Sequence, residues 1–324
     1  MLKRTLLASL LGGALAVVLP LSNAHAQAAW PSKPIKLIVP YSPGGPVDQI
    51  ARAIAPRLGQ ELGQTVFVES KAGAGGSIGL DASIKADPDG YTFGFGVPGA
   101  ITVLPHLQKL PYQVKDINYV SLVARVPQVV AVGPEVKAKT LQELIALAKA
   151  NPGKLNFASA GNATTPHLGS ELLQQETGIK MVHVPYKGAA PAITALIGGE
   201  VQVFCGDLPA ILPFQAKGVK ILAVNGASRV EALPTVPTTA ELGLPNVRVE
   251  SNYGIVAPSG TPAAITQRVH DALVKVMNSP EVRKALAAQG AIPVTTTPQE
   301  YRQVMDQESV KWAAVVKKGH ITLE

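Results

Sequence analysis

Gly75-Gly76-Ser77-Ile78-Gly79 fits G-x-S-x-G, the pattern that seats a nucleophilic serine on a sharp strand-to-helix turn in α/β hydrolases. That chemistry needs a strand running straight into the serine. Here the loop stretch ESKAGAGG intervenes, so Ser77 reads better as the N-cap of the helix that follows. His106, His167, His183, His270 and His320 show neither H-x-H nor H-E-x-x-H spacing, and the one cysteine, Cys205, is isolated in VQVFCG. No metal site is expected from that set, and no cofactor. The histidines read as hydrogen-bonded structural residues, with His167 held open because it lies in a candidate loop. Neither G-x-G-x-x-G nor G-x-x-x-x-G-K-[ST] occurs in this stretch, so a nucleotide site is not expected.

What remains is a set of polar, mostly uncharged loops where apolar runs end and helical patterns begin. They are PYSPGGPVD (40–48), VPGAIT (97–102), SAGNATTPH (159–167), PYKGAA (185–190) and CGDLP (205–209). A helix start offers unsatisfied N–H groups and about half a positive charge, which suits a carboxylate or phosphate. Glycine lets bare backbone approach closely, and Ser42, Ser159, Thr164 and Thr165 add hydroxyls. Such loops hold an anion without needing an arginine. They offer binding, with no group placed to drive a reaction.

The elements that position these loops alternate. IKLIV (35–39) leads into Val47, Ile50, Ala51, Ile54, Leu58 and Leu62, which share one helical face. TVFVE, IGLDASIKA and YTFGFG continue the strand–helix rhythm, and a second series begins near 130. The pattern predicts an α/β sheet with largely parallel strands, whose ligands bind beyond the carboxyl ends of the strands. Thr140-x-x-Glu143 and Thr297-x-x-Glu300 read as capping boxes. Thr261-Pro262, Ser279-Pro280 and Thr297-Pro298 each place an N-cap residue before a helix-opening proline.

The chain has 324 residues, a formal charge of +7, 47% hydrophobic and 5% aromatic residues. Basic residues are scattered, without a stripe interleaved with stacking rings, so nucleic acid is not an expected partner. MLKR, an apolar run and the ending Ala24-His25-Ala26 read as a cleaved export signal over residues 1–26. The mature product is then expected in the periplasm or secreted, and with one cysteine it holds no internal disulfide. Two lobes are expected, 27–128 with 250–324 and 129–249, joined by two crossings that form a hinge beside a ligand cleft.

WPSKPIKLIVPYSPGGPVDQIARAIAPRL, VESKAGAGGSIGLDASIKADPDGYTF, HVPYKGAAPAITALIGGEVQVFCGDLP and YGIVAPSGTP closely resemble the Bug family, the solute-binding proteins of tripartite tricarboxylate transporters. The resemblance implies a two-lobed periplasmic binding protein of the type II, Venus-flytrap kind. It also implies a small carboxylate ligand, membrane permease subunits as partners, and monomeric behaviour. Carried over to this chain, Tyr41, Ser42, Gly44, Gly45 and Asp48 belong to the first binding loop. Ser159, Gly161, Asn162, Thr164, Thr165 and His167 belong to the second, with Tyr186 beyond it. Relatives often carry Ser-His in the loop that here reads VPGAIT, where Gly99, Ala100 and Thr102 take that place. Asp207 stands where many relatives have Asn; it either faces a ligand ammonium or hydroxyl group or caps the next helix. Asp48 is open in the same way. Two alternatives to a transport receptor are an exported serine hydrolase using Ser77 and a ligand-sensing accessory of a signalling receptor.

Overall fold

The computed structural model describes residues 30–226 and 228–323. The export signal expected over 1–26 lies outside the described residues. Strand β1 (Ile35–Val39), helix α1 (Pro46–Leu62), strand β2 (Val66–Ser70), helix α2 (Ser77–Ile84) and strand β3 (Thr92–Gly96) form the opening unit, with β1 parallel to both β2 and β3. A 15-residue strand, β4 (Asn118–Val132), follows. The second series runs α3 (Leu141–Ala150), β5 (Asn156–Ser159), α4 (Thr165–Thr177), β6 (Val182–Pro185), α5 (Ala189–Ile197), β7 (Val203–Asp207), the short α6 (Leu208–Ile211) and β8 (Lys220–Val224). Then come β9 (Glu250–Ala257), α7 (Ala263–Asn278), α8 (Pro280–Ala288), β10 (Ile292–Pro293) and α9 (Pro298–Gly319).

Strand order is β2-β1-β3-β9-β4-β7-β5-β6, with β8 and β10 also paired to β4. The expected parallel sheet is therefore mixed: β9 runs antiparallel to β3 and β4, and β4 antiparallel to β7 and β8. Side-chain periodicity reports which face is buried and carries no record of strand direction, which is why the sequence reading missed this. Strand β4 changes partner midway. Asn118 to Pro127 pair with β9, whereas Gln128 to Val132 pair with β7. Backbone bonds pin that point: the Gln128 N–H donates to the Val249 carbonyl at 3.2 Å, and the Asn225 N–H to the Gln128 carbonyl at 2.8 Å.

Burial follows the twofold period of a strand. In β4, Val129 and Ala131 enter one buried cluster while Val130 and Val132 enter another on the opposite face. The first half of the sheet is filled by a larger cluster that includes Phe95, Tyr301 and Trp312. Cys205 is fully buried in a cluster of the second half, and burial pushes its thiol up to about 12, so it is an inert core residue.

Helix starts largely obey their caps. Thr140 accepts from the Glu143 N–H, but the Glu143 carboxylate accepts from the Lys139 N–H and not from Thr140, so the box expected there is half formed. Thr297 with Glu300 forms a complete one. Ser279 caps α8. Two expectations fail. The N-cap of α2 is Gly76, at φ 96°, and the Ser77 hydroxyl donates instead to the Ala74 carbonyl at 2.9 Å. The N-cap of α7 is Pro262, and Thr261 turns its hydroxyl back to the Pro258 carbonyl.

Candidate ligand-binding site

The starts of α1, α4 and α5 point at one small space. The N-cap residues are Gly45, Thr164 and Gly188, and none supplies a side-chain cap to its helix. The first four N–H groups of any helix lack intrahelical acceptors. An inner cavity of about 20 Å³ is lined by Gly45, Pro46 and Val47 of α1, Thr164, Thr165 and Pro166 of α4, and Ala189 of α5. Tyr41, Ala160, Asp207 and Tyr253 complete its wall. An outer cavity of about 340 Å³ shares Tyr41 and Ala160 with the inner one. Its wall includes Gly73 to Gly76, Gly161, Asn162, Tyr186 and Lys187. The two spaces make a compartment that runs from a tight head to a roomier mouth.

The two sides of this compartment already touch. The Ser42 hydroxyl donates to the Lys187 carbonyl at 2.5 Å. A Cβ at Gly75 would lie 2.5 Å from the Asn162 carbonyl oxygen, and one at Gly99 would lie 2.8 Å from that of Ala163. Side chains cannot fit at such separations, so the approach depends on bare glycine.

Other anticipated residues are spent on holding the loops. Asp48 is buried. Its Oδ2 accepts from the Gly44 N–H and from Arg52 Nε, both at 2.9 Å, so it bends the first loop back on itself. The Arg52 guanidinium also offsets a negative charge that would oppose an anion. Ala100 accepts from the Tyr112 hydroxyl at 2.7 Å, and Thr102 donates to the Pro98 carbonyl at 2.8 Å. Gly99, Ala100 and Thr102 do not line either cavity.

Ser159 is buried, accepts from the Gly161 N–H at 3.1 Å, and shares a 2.6 Å hydrogen bond with His183 Nε2. His167 accepts at Nδ1 from the Ala163 N–H at 3.1 Å, and its ring stacks on His183 at 3.8 Å between centroids. Burial lowers His167 to about 3 and His183 to about 4, so both are neutral. Two uncharged imidazoles thus brace the second loop from behind. Thr164 donates to the Gly161 carbonyl at 2.7 Å.

Asp207 is the charged group of the inner cavity. It makes no cap bond to α6. The Ser251 hydroxyl donates to Oδ1 at 2.7 Å, Gln128 Nε2 to Oδ1 at 3.4 Å, and the Tyr253 hydroxyl to Oδ2. Thr165 joins the network through Ser251 at 2.7 Å. Burial raises the Asp207 carboxyl to about 6, against the pull of those donors. Tyr41 and Tyr253 are also raised, by burial and then by Asp207.

Sequence reasoning missed Tyr253, Ser251 and Gln128, which lie in strands carrying several polar residues, where nothing marks which of them face inward. It also passed over Gly73 to Gly76, though that run of glycines was itself a signal of close backbone approach. A larger groove of about 900 Å³, lined by residues such as Arg229, Arg283 and Pro293, has none of the helix starts of α1, α4 or α5 on its wall. Among the described residues no cluster of three potential metal ligands occurs, and no helix is long and apolar enough to cross a membrane.

The model of the tripartite tricarboxylate transporter family receptor, TctC, matches residues 50–321. The chain belongs to this family. Protein BugT of Bordetella pertussis is 39% identical over 294 residues, covering 89% of this chain and 90% of its own. Two solved structures share the architecture. R. palustris Rpa4515 with adipate has a TM-score of 0.87 at 32% identity, covering 90% of this chain and 99% of that one. MatC from Rhodopseudomonas palustris with bound malate has a TM-score of 0.84 at 29% identity, covering 89% and 100%. The fold is that of the two-lobed periplasmic solute-binding proteins. The family consists of binding proteins, which sets aside the hydrolase reading of Ser77.

Proposed function

We propose that this TctC receptor works in the periplasm, captures a small carboxylate between its lobes and hands it to the permease subunits of a tripartite tricarboxylate transporter. The lobes that close on the ligand are 27–128 with 250–324 and 129–249. The observation that carries the reading is the meeting of three helix starts without side-chain caps on one inner cavity. Relatives solved with adipate and malate support a carboxylate as the guest.

The magnitudes are adequate. Hydrogen bonds to a charged group contribute about 1.5–3 kcal/mol each. Four to six of them give roughly 6–18 kcal/mol before ordering and closure are subtracted. A net of about 8 kcal/mol corresponds to micromolar affinity.

Thermal unfolding and titration calorimetry of the mature protein against mono-, di- and tricarboxylates test this. At a hundredfold excess over Kd a ligand adds about 2.7 kcal/mol, or roughly 3–8 °C in Tm. At least one carboxylate is expected to reach that shift. If none moves Tm and none releases heat, the reading is wrong.

A further inference from the structure

The inner cavity brings together groups of opposite character: the helix starts at Gly45–Val47, Thr164–Pro166 and Ala189, and the carboxyl of Asp207 with the hydroxyls of Tyr41 and Tyr253. Among the described residues lining that cavity Asp207 is the one carboxylate. A carboxylate has about four acceptor positions. Ser251, Gln128 and Tyr253 occupy three, all approaching from β4 and β9. Among the described residues the remaining acceptor has no protein partner, and the side chain lines the cavity. A plain carboxylate head would bring like charge against Asp207 and leave that acceptor facing a methylene.

Resting on the carboxylate reading above, we propose that Asp207 selects ligands bearing a hydrogen-bond donor on the carbon next to the carboxylate, that is, 2-hydroxy or 2-amino acids over the plain acids. The carboxylate meets the helix starts while the hydroxyl or ammonium donates to Asp207. The inner space of about 20 Å³ is the room of roughly one water, so the head group is seated there only as the walls part around it, and the rest of the ligand extends past Tyr41 and Ala160 into the outer cavity. Sites built to bond a donor discriminate strongly against analogues that lack it, because the site's own polar group is left unpaired.

Calorimetry on the mature wild-type protein tests this with matched sets: succinate, malate and aspartate; glutarate, 2-hydroxyglutarate and glutamate; adipate, 2-hydroxyadipate and 2-aminoadipate. In the best-bound set, a substituted acid is expected to bind at least tenfold tighter than its plain parent, and the hydroxyl and amino arms identify the donor. Asp207→Asn should bring that ratio below threefold, chiefly because the plain acid gains. Plain acids binding within threefold of the substituted ones in the wild type overturn the selector while leaving carboxylate binding intact. A variant that weakens every member equally also overturns it, since that is a structural role. Binding of no member at all overturns both readings. Should Asp207→Asn fail to fold, the wild-type ratio decides alone.

Discussion

The two loops that face each other across the cleft are held in opposite ways. The loop from Tyr41 to Val47 is mostly backbone: its shape comes from Gly44 at φ 83°, from prolines, and from Asp48 reaching back to the Gly44 N–H. The loop from Ser159 to His167 is pinned by buried side chains, with Ser159, Thr164, His167 and His183 each bonded to loop backbone or to one another. Behind it, Phe157 stacks on His183 at 4.9 Å and His183 on His167 at 3.8 Å. Both solutions place the start of a helix on the cavity wall. The first loop therefore depends on residues that are small, and the second on residues that are polar and uncharged.

Substitutions test the close approach to the second loop, its brace and the direct bond from the first loop in turn. Gly99 sits outside the left-handed region and tolerates a methyl group locally, yet its Cβ would lie 2.8 Å from the Ala163 carbonyl oxygen across the cleft. Gly99→Ala is expected to weaken ligand binding by about a hundredfold, roughly 2.7 kcal/mol. Its Tm without ligand should change little. Calorimetry and thermal unfolding read both; an unchanged Kd would show that the approach at Gly99 is not needed.

The second loop should respond to acid. His167 and His183 titrate near 3 and 4 in the folded chain against an ordinary 6.5. Between about pH 4 and 6.5 the unfolded chain therefore binds more protons, and stability falls as pH falls. Asp207, raised from 3.8 to about 6, and Glu171 beside His167, also raised by burial, act in the opposite sense over that interval, because there the folded chain holds the extra proton. The two imidazole shifts are the larger and outweigh both carboxyls. The mature protein is expected to lose Tm from pH 7 to pH 5, and His183→Gln should lose less over the same range. Equal losses in both would remove the brace from the account.

The smallest effect belongs to the direct bond between the two sides. Ser42→Ala removes the 2.5 Å bond to the Lys187 carbonyl. A lost hydrogen bond of about 1 kcal/mol predicts a weakening of roughly fivefold in Kd, with stability unaltered.

Much of this was legible in the sequence, and the gaps have physical causes. Strand-to-helix loops announce themselves through glycine, proline and serine, so the segments around Gly45 and Thr164 were found. Capping at Thr140 and Thr297 was legible because it is local. A side chain's direction is not. Thr102, Ser159 and His167 read as ligand contacts, and the structure has them bonding loop backbone. Conversely, Tyr253 and Ser251 lie in the polar first half of β9, and only the β9–β4–β7 order brings them to Asp207.

A crystal structure of the mature protein with its tightest carboxylate tests the central claim most directly. The ligand carboxylate is expected within hydrogen-bonding distance of backbone N–H groups at Val47, Thr165 and Ala189. A carboxylate lodged in the groove beside Arg229 and Arg283, or turned away from those amides, would contradict it.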